Sequence, residues 1–377
     1  MLYLDNSATT KIHPEVLEAM MPYLQEEYGN PSSKFYSLAE NAKKAVAKAR
    51  EQVAALLGCD PDEVVFTSGA TESNNMIIKG IADYYGREDE ANKRLMTTKV
   101  EHPSVIETFN FLGERGYEVS FLDVDQFARV TVQQVKEAAA QTQPLLTSIM
   151  WGNNEIGSLN PIAELSALFE EHDFFFHTDA TQVIGKVPVD LKKLKGIRFL
   201  SMSGHKIGGP KGIGAAIIRK QSKEIYTRLT PLMHGGGQEN NYRSGTLAVH
   251  NIVGLGKAAE LAAVNLEQNV QRLTELEQYL TSIFKTNLSG KIKFNSDEKD
   301  KIPGLISLQF IGVNNELLLK KLADYVALSS GSACSSSKPS HVLNASGKSL
   351  EEVRQTIRVT LSPTISKKSL SFFEQIR

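Results

Sequence analysis

The chain has 377 residues, with 42 Lys and Arg against 43 Asp and Glu, so its formal net charge is −1. This balance argues against a basic nucleic-acid-binding protein, because affinity for phosphates needs a surplus of cations on at least one face. The hydrophobic content of 41% and the charged content of 23% are those of a globular protein, which excludes a disordered chain and predicts large cores. The length predicts two or three core units.

The cysteine content and the N-terminus predict a cellular compartment. Two cysteines, Cys59 and Cys334, in so long a chain make no disulfide framework and match no cysteine-rich metal site. The N-terminus lacks the pattern of a signal peptide, and no stretch of about 18 apolar residues runs without a charge. We therefore expect a soluble cytoplasmic protein in a reducing compartment, with no metal site and no membrane contact.

Strands and helices are predicted to alternate through the first two thirds of the chain. The clearest helix covers 39–57, where apolar residues recur every three or four positions, and it ends at Gly58. Apolar or β-branched runs predict strands at 63–67, 94–98, 118–122, 145–151, 174–178, 198–202 and 214–219. This alternation predicts an α/β fold with a mainly parallel sheet covered on both faces.

The pattern changes towards the C-terminus. A long helical stretch over 249–287 is predicted to connect to a smaller α/β unit. That unit has predicted strands at 291–295, 305–310, 326–328 and 357–361 and a predicted helix at 316–323. The serine-rich tract 329–340 is too polar to pack in a core, so we expect a mobile loop that carries Cys334.

The strongest local signal for chemistry is Lys206, which lies in a glycine-rich turn after a predicted buried strand. A backbone without side chains can approach a ligand closely there, and the lysine amine can form a Schiff base. Pyridoxal phosphate is the cofactor that this chemistry suggests. A solvated lysine in a surface turn is the alternative.

Asp179 ends another apolar strand, at the edge where open α/β sheets bind ligands. A carboxylate there can pair with a pyridinium nitrogen and keep the ring an electron sink. The alternative is a helix N-cap, since the residues from Asp179 to Gln182 could open a helix.

Polar residues follow three further strands. The segment 67–75 has small residues where a helix begins, which favours binding of an anion such as phosphate, although Ser68 or Thr71 with Glu72 could form a simple capping box. His102 could stack on a planar ring and act as acid or base, or be a structural residue. Asn154 could donate a hydrogen bond to a ring oxygen or to a substrate carboxylate.

Three other residues have two interpretations each. Cys334 is predicted to be an accessible thiol rather than a structural one, and Cys59 a packed or loop thiol at a helix end. Arg358 lies inside a predicted strand, where it either grips a ligand carboxylate or is a surface charge on an edge strand.

Taken together, these segments resemble a cysteine desulfurase of the NifS/IscS type, among the class-V aminotransferases of pyridoxal-phosphate fold-type I. The resemblance covers nearly the whole chain in order, through LDNSATT, GNPSS, FTSGATESNN, EHPSV, NNEIG, HTDATQVIGKVPVD, SGHKIGGPKGIG, GGGQENNYRSGT, SSGSACSSS and IRVTLS. It implies a seven-stranded, mainly parallel sheet in a large cofactor-binding domain over 15–250. A small domain over 1–14 and 251–377 would carry the cysteine loop.

The resemblance also implies a role for each matching residue. Lys206 would hold pyridoxal 5'-phosphate covalently, Asp179 would pair with its ring nitrogen, Gln182 would touch its phenolic oxygen, and His102 would stack on the ring. The phosphate would be bound by Ala70, Thr71, Ser203, His205 and Thr246, the last from a neighbouring subunit. Asn154 and Arg358 would hold the carboxylate of L-cysteine, and Cys334 would be the nucleophile of a homodimeric enzyme.

The implied reaction converts L-cysteine to L-alanine and leaves a persulfide on Cys334, which is passed to a sulfur-acceptor protein. The acceptor could serve iron–sulfur cluster assembly, tRNA thiolation or DNA phosphorothioation. Three departures from the family pattern bear on this choice: Lys34, Phe35 and Tyr36 stand where relatives carry a His, the cysteine loop is about two residues short, and the chain ends at Arg377, soon after Pro363. The first and the third favour a specialised thiolation partner, with any nucleic acid met through that partner protein.

Two alternatives to a desulfurase stay open from the sequence. A selenocysteine lyase or another class-V lyase would share the cofactor residues and would not need a loop thiol. A non-catalytic sulfur-relay or docking protein would have lost the chemistry, which the joint presence of Lys206, Asp179, His102 and Cys334 disfavours.

Overall fold

A computed structural model of the chain describes residues 1–88, 93–172, 174–221, 225–331 and 339–375. The strands are β1 Leu2–Tyr3, β2 Val64–Thr67, β3 Arg94–Thr98, β4 Glu118–Leu122, β5 Leu146–Ser148, β6 Phe175–Asp179, β7 Ile197–Ser203, β8 Gly214–Ile218, β9 Ile292–Phe294, β10 Leu305–Phe310, β11 Val326–Ala327 and β12 Thr356–Thr360. The helices are α1 Pro14–Gln25, α2 Ser37–Leu57, α3 Ala70–Glu88, α4 Pro103–Gly113, α5 Val132–Thr142, α6 Ile162–His172, α7 Val249–Val264, α8 Leu266–Asn287, α9 Asn315–Leu322, α10 His341–Ala345, α11 Leu350–Val353 and α12 Lys367–Leu370.

The main sheet has seven strands in the order β2-β8-β7-β6-β5-β3-β4. Strand β8 runs antiparallel to both of its neighbours, and the remaining paired strands run parallel to each other. The predicted α/β fold with a mainly parallel seven-stranded sheet is therefore confirmed. The parallel arrangement brings the carboxyl ends of β3, β5, β6 and β7 to one edge, which positions the site described below.

Apolar clusters cover both faces of this sheet. One cluster packs α2, α6 and α7 against it through residues such as Val53, Phe169 and Leu255. The other packs α3 and α4 against the opposite face through Ile77 and Phe109. Because both faces are covered, the central strands β5, β6 and β7 are buried along almost their whole length rather than at alternate residues, and the predicted covering on both faces is confirmed.

A second sheet of three antiparallel strands has the order β12-β10-β9. Its apolar face packs on α8 through Leu276, Leu280 and Phe284. The N-terminal strand β1 pairs in parallel with β11 beside this unit, so the two ends of the sequence meet in space. The domain boundaries at residues 14 and 250 stay a prediction.

Two predicted elements differ from the structure for identifiable reasons. The helical stretch over 249–287 is two helices, because Asn265 has non-helical angles of φ −99° and ψ 7° and its side chain donates to the Leu261 carbonyl at 2.9 Å. The strand predicted over 145–151 covers only Leu146–Ser148. Beyond it the Met150 N–H donates to the Glu101 carboxylate at 2.8 Å instead of to a neighbouring strand.

Within the described residues, no helix combines the length and the apolar character needed to cross a bilayer. The predicted helix over 39–57 begins two residues earlier, at Ser37, and ends at Gly58 as expected. Gly58 has a φ of 65°, a left-handed conformation that glycine adopts at little cost, and it closes the helix.

Candidate active site

A cavity of about 1250 Å³ opens at the edge where the parallel strands of the main sheet end. It exceeds the roughly 300–1,000 Å³ of common ligand pockets, which leaves room for more than one small molecule. Most of the residues that the sequence nominated line it: Ala70, Thr71, His102, Asn154, Asp179, Gln182, Ser203, His205, Lys206 and Arg358. The cavity thus gathers residues that lie up to 288 positions apart in the sequence.

Two sides of this cavity have different origins. We name the first the sheet wall, formed by Ala70, Thr71, His102, Asp179, Ser203, His205 and Lys206 at the ends of β2, β3, β6 and β7. We name the second the small-sheet wall, formed by Arg358 of β12, Glu155 and His341, with Asp5 pairing with Arg358 behind the cavity surface. The two walls are described in turn.

Lys206 lies in a short 3₁₀ turn that directly follows β7. Its ammonium donates to the Ser7 carbonyl and, at 2.8 Å, to the Ala8 carbonyl, so it is held by the N-terminal segment. Thr10 fastens that segment by donating its N–H and its hydroxyl to the His205 carbonyl, each at 2.9 Å. The alternative of a solvated surface lysine is wrong, because this amine is fixed at the cavity.

Asp179 is the last residue of β6 and is buried. One carboxylate oxygen accepts from the Thr181 N–H at 3.0 Å and the other from Asn74 Nδ2 at 2.8 Å. No helix begins after Asp179, so the alternative of a helix N-cap is wrong, although the carboxylate does cap a turn. These two donors fix the orientation of the carboxylate at the cavity, which suits the predicted pairing with a ring nitrogen.

The N-terminus of α3 lines the cavity and is the predicted anion site. The first-turn N–H groups of a helix lack internal acceptors, and Ala70 and Thr71 begin this one. Glu72 accepts from the Ser68 N–H at 2.7 Å and from Arg243 Nε at 2.9 Å. Burial raises the pKa of Glu72, and the bonds from Arg243 and Ser68 outweigh it, so the pKa lies below its usual value. The capping arrangement and the anion site therefore coexist.

Two more residues of the sheet wall border the same anion site. Ser203 ends β7, and His205 bonds through Nδ1 to the Thr9 hydroxyl at 3.1 Å. Burial, with smaller contributions from Lys206 and Lys211, lowers the pKa of His205 to about 4. At neutral pH this ring therefore offers an anion a hydrogen bond rather than a charge.

His102 is the N-cap of α4, a position it takes because Pro103 follows it. Its Nδ1 accepts from the Ser104 N–H at 3.1 Å and lies 2.8 Å from the Ser104 hydroxyl. Burial is the main reason that its pKa lies below the usual value. A neutral ring at the cavity surface fits stacking and proton transfer.

Arg358 dominates the small-sheet wall. Its guanidinium pairs with Asp5 at 2.8 Å and donates to the carbonyls of Asn154 at 2.7 Å and Gly331 at 3.1 Å. Its side chain is only 2% exposed, since chain segments at Asp5 and Ser329 bridge the outer side of β12. The alternative of an edge-strand surface charge is therefore wrong, although β12 is an edge of its sheet.

Glu155 is a buried carboxylate of the same wall. It accepts from the Ser340 hydroxyl at 2.5 Å. Burial raises its pKa, and Ser340, His341 and Arg358 act in the opposite direction. Glu155 was predicted only as part of the NNEIG motif. The residues around it in sequence could not indicate its hydrogen-bond partner, because Ser340 is 185 positions away.

Two nominated residues differ from the rest in their placement. Gln182 donates to the Ser7 carbonyl at 3.0 Å, while its Oε1 is buried without a partner among the described residues. Thr246 is exposed and does not line the cavity of its own chain. Their cofactor contacts stay predictions.

The nominated nucleophile, Cys334, lies outside the described residues. Cys59 is buried, and burial raises its pKa to about 12, so it is a poor nucleophile and the packing interpretation of this thiol is confirmed. The role of Cys334 as the nucleophile stays a prediction.

The sequence missed residues that the fold brings to the cavity. Ser7 and Ala8 hold the lysine amine through their backbone carbonyls, for which no side-chain signal exists. Asn74 and Glu101 were also not predicted as site residues, although both lie inside motifs on which the resemblance rests. Glu101 is fully buried with one unpartnered oxygen among the described residues, and burial raises its pKa to about 8.

The residues present fit pyridoxal 5'-phosphate. A fixed lysine amine, a buried carboxylate with two donors, a neutral histidine and a helix N-terminus surround one cavity. The backbone is also packed closely there: a Cβ on Gly214 would lie 2.7 Å from Gly69 Cα and 2.4 Å from the Met202 carbonyl oxygen. These contacts keep β8 against the turn that opens α3, and a side chain at Gly214 would displace it.

Comparisons with known proteins agree with this geometry. Residues 2–372 match the aminotransferase class-V family. The chain is 42% identical over 374 residues to the cysteine desulfurase IscS of Dictyoglomus turgidum, covering 98% of this chain and 92% of that protein. A solved NifS-like protein superposes with a TM-score of 0.90 at 33% identity, covering 99% and 97%. A structure of SspA in complex with cysteine superposes with a TM-score of 0.83 at 36% identity, covering 96% and 99%.

Enzymes of this family depend on pyridoxal 5'-phosphate, in agreement with the residues around the cavity. The match spans both sheets and both walls of the site. The chain therefore belongs to the aminotransferase class-V family, among the cysteine desulfurases of the NifS/IscS type.

Proposed function

We propose that this protein takes the sulfur of L-cysteine onto Cys334 as a persulfide, releases L-alanine, and passes the sulfur to an acceptor protein. The observation that carries the proposal is the convergence of Lys206, Asp179 and His102 on one cavity whose opposite wall carries Arg358. In the balanced reaction the C–S bond of cysteine breaks, an S–S bond forms at Cys334, and the thiol proton ends on the new methyl group of alanine.

The residues divide this work between the walls. Arg358 and Asn154 orient the substrate carboxylate, because a planar guanidinium binds a carboxylate through two parallel bonds. Lys206 Nζ would hold pyridoxal phosphate and, as a free amine, would move the proton at the substrate Cα. Asp179 would pair with the ring nitrogen of the bound cofactor. When bound, pyridoxal phosphate supplies the electron sink for this proton transfer.

The experiment is release of L-alanine from L-cysteine with a reductant present, for the wild type and Cys334→Ala. Alanine from the wild type and almost none from the variant is the expected result. In a separate incubation with L-cysteine and no reductant, the intact wild-type protein should gain 32 Da and Cys334→Ala should not. Alanine from both would favour a lyase that needs no thiol, such as a selenocysteine lyase. No alanine from either would favour a docking protein. The matched control is Cys59→Ala, which leaves release unchanged.

We propose that the enzyme acts as a homodimer in which Thr246 reaches the phosphate of the neighbouring subunit. The exposure of Thr246 away from its own cavity supports this arrangement. Mixed dimers of Lys206→Ala and Thr246→Val chains would contain one site with both residues intact. Cofactor affinity at that site should equal the wild type, and an affinity as low as in the Thr246→Val homodimer would contradict the proposal.

The proposed acceptor is a thiolation partner, met in the cytoplasm, rather than a general cluster scaffold. The support is Phe35, one of the residues that replace the family histidine, whose side chain is 98% exposed with a φ of 74°. Asn tolerates that backbone, so Phe35→Asn should slow sulfur transfer to the partner and leave alanine release with a small reductant unchanged. Capture of only a cluster scaffold by the wild-type persulfide would contradict this choice.

A further inference from the structure

A buried chain of hydrogen bonds joins Asp179 of β6 to His102 at the start of α4. Asn74 Nδ2 donates to Asp179 Oδ2 at 2.8 Å and to the Ser104 hydroxyl at 2.9 Å. The Ser104 hydroxyl lies 2.8 Å from His102 Nδ1. Asn74 is fully buried, so this chain runs between elements rather than over the surface.

The direction of each hydrogen bond follows from the groups at the ends. A carboxylate only accepts, so Asn74 must present its NH₂ to Asp179, and the opposite amide orientation would place two oxygens 2.8 Å apart. The same NH₂ gives its second hydrogen to Ser104. The Ser104 hydroxyl, which accepts there, is left to donate its single hydrogen to His102 Nδ1.

A backbone hydrogen bond also requires that His102 Nδ1 act as an acceptor. The Ser104 N–H also donates to Nδ1, at 3.1 Å, because His102 caps its own helix. Two donors on one nitrogen require that Nδ1 carry the lone pair, and therefore the proton of the neutral ring lies on Nε2. A proton on Nδ1 would break the cap and leave the Ser104 hydroxyl without its acceptor.

We propose that Ser104 and Asn74 are positioning residues that hold His102 in its neutral, Nε2-protonated form and couple that form to the charge of Asp179. The inference deepens the proposed desulfurase function and rests on it. With Nδ1 committed to the helix, Nε2 is the nitrogen through which His102 exchanges a proton at the cavity. Asp179, through Asn74, fixes the direction of the chain and hence the tautomer.

Burial and the neighbouring charged groups also shift the pKa of His102. Asp179 of β6 favours the protonated ring, whereas Lys206 after β7 and His341 of α10 disfavour it, and burial adds to their effect. Glu101 precedes His102 in the chain and is fully buried. Because all of these groups stay in place in a Ser104 variant, a change in the titration of His102 isolates the hydroxyl.

The first test is the pH dependence of kcat/KM in the holoenzyme for wild type and Ser104→Ala. Loss of a donor to the lone pair on Nδ1 should move the acid limb upward by about 0.5 to 1 pH unit, the size expected for one neutral hydrogen bond. Ser104→Thr, which keeps the hydroxyl, should restore the wild-type limb. The matched control is Thr108→Val, because Thr108 donates to the Ser104 carbonyl at 2.8 Å in the same helix but not to the chain.

The second test is independent of turnover. Side-chain ¹⁵N shifts in histidine-labelled holoenzyme, with His102 assigned from its absence in His102→Asn, report the protonated nitrogen. The wild type should show Nε2–H, and Ser104→Ala should show a mixture of tautomers and titrate at higher pH. Asn74→Leu should change both the His102 signals and the pH titration of cofactor absorbance, because it removes a donor from Asp179 as well.

Opposite results separate the two proposals. An acid limb that moves no further in Ser104→Ala than in Thr108→Val, or an Nδ1–H tautomer in the wild type, overturns the positioning role while the desulfurase function stands. Absence of alanine formation by the wild type overturns the desulfurase function, and the ¹⁵N shifts still decide the tautomer. Melting temperature and cofactor content identify a variant that fails to fold, for which Ser104→Thr then supplies the comparison.

Discussion

The sheet wall and the small-sheet wall hold their side chains in place by different means. On the sheet wall some fixing partners are close in sequence, such as Ser104 for His102 and Thr181 for Asp179. Others come from elsewhere in the chain: Asn74 also donates to Asp179, and the carbonyls of Ser7 and Ala8 hold Lys206. On the small-sheet wall they are distant: Arg358 pairs with Asp5, 353 positions away.

This difference has a structural consequence. The ends of the main-sheet strands and the turns after them place the side chains of the sheet wall, and the N-terminal segment then fixes Lys206. The small-sheet wall exists only when the C-terminal unit, the N-terminal segment and the turn at Asn154 meet. We therefore expect chemistry to depend on the first wall, and both substrate binding and stability to depend on the second.

The largest expected effect tests the sheet wall. Lys206→Ala should lower alanine release by at least about a thousand-fold, because it removes the amine that moves the Cα proton. The readouts are single-turnover alanine release and cofactor absorbance. Lys211→Ala is the control, since Lys211 is an exposed lysine that lines the same cavity. Equal losses in both variants would show that general cavity charge, and not Lys206, supports the reaction.

The second effect tests the small-sheet wall. Arg358→Lys should raise KM for L-cysteine by about 10- to 100-fold with a smaller change in kcat, because lysine cannot bind a carboxylate through a planar fork. It should also lower the melting temperature, since Asp5 and two carbonyls lose their donor. Asp5→Asn provides the comparison: it should reduce stability with a smaller change in KM. A kcat loss with KM unchanged would remove the distinction between the walls.

The third effect tests the junction between the walls. Glu101 accepts from Thr98 and Met150, and its carbonyl bonds His341. Burial raises its pKa from 4.5 to about 8. The native state therefore binds more protons than the unfolded state in this range, and stability should fall as pH rises from about 4.5 to 8.

Glu101→Gln mimics the neutral carboxyl and should flatten the dependence of stability on pH. At pH 8.5 the variant should gain at most about 5 kcal/mol in free energy of unfolding over the wild type. Melting temperatures of wild type and variant at pH 5.5 and 8.5 measure it. Parallel profiles for the two proteins would mean that Glu101 does not titrate in this range.

The smallest expected effect tests Glu72, which lies beside the predicted anion site. Glu72→Gln should weaken cofactor binding several-fold, corresponding to about 1 kcal/mol, because the turn at Ser68 and Arg243 lose a charged acceptor. The pKa of Glu72 is lowered in the folded protein. The stabilising contribution of its carboxylate should therefore be fully present above the ordinary pKa of a glutamate, and it should be lost as the pH falls through the lowered pKa. Cofactor dissociation followed by fluorescence measures this, with the exposed cavity residue Glu107, changed to Gln, as the control.

Much of the sheet wall could be predicted from sequence. Lys206, Asp179 and His102 each follow a strand whose apolar run is visible in the sequence, and parallel strands must end at a common edge. The short span of β5 and the break at Asn265 could not be predicted, because the first depends on the distant Glu101 carboxylate that accepts the Met150 N–H, and the second on the non-helical backbone angles of a single residue.

The small-sheet wall was predictable only in part. Arg358 was nominated as a charge out of place in a strand, yet its interpretation as a surface charge was equally open until the structure showed it buried against Asp5. The hydrogen bond between Glu155 and the Ser340 hydroxyl could not be predicted, because the two residues are 185 positions apart in the sequence.

The sequence by itself determined the elements, the parallel sheet and the residues at its carboxyl edge, because hydrophobic periodicity and turn residues act over a few positions. The tertiary structure alone decided which carbonyls hold Lys206, what surrounds Arg358, and which nitrogen of His102 carries its proton. Those outcomes depend on hydrogen bonds between segments far apart in the chain, whose geometry exists only once the two sheets have packed together.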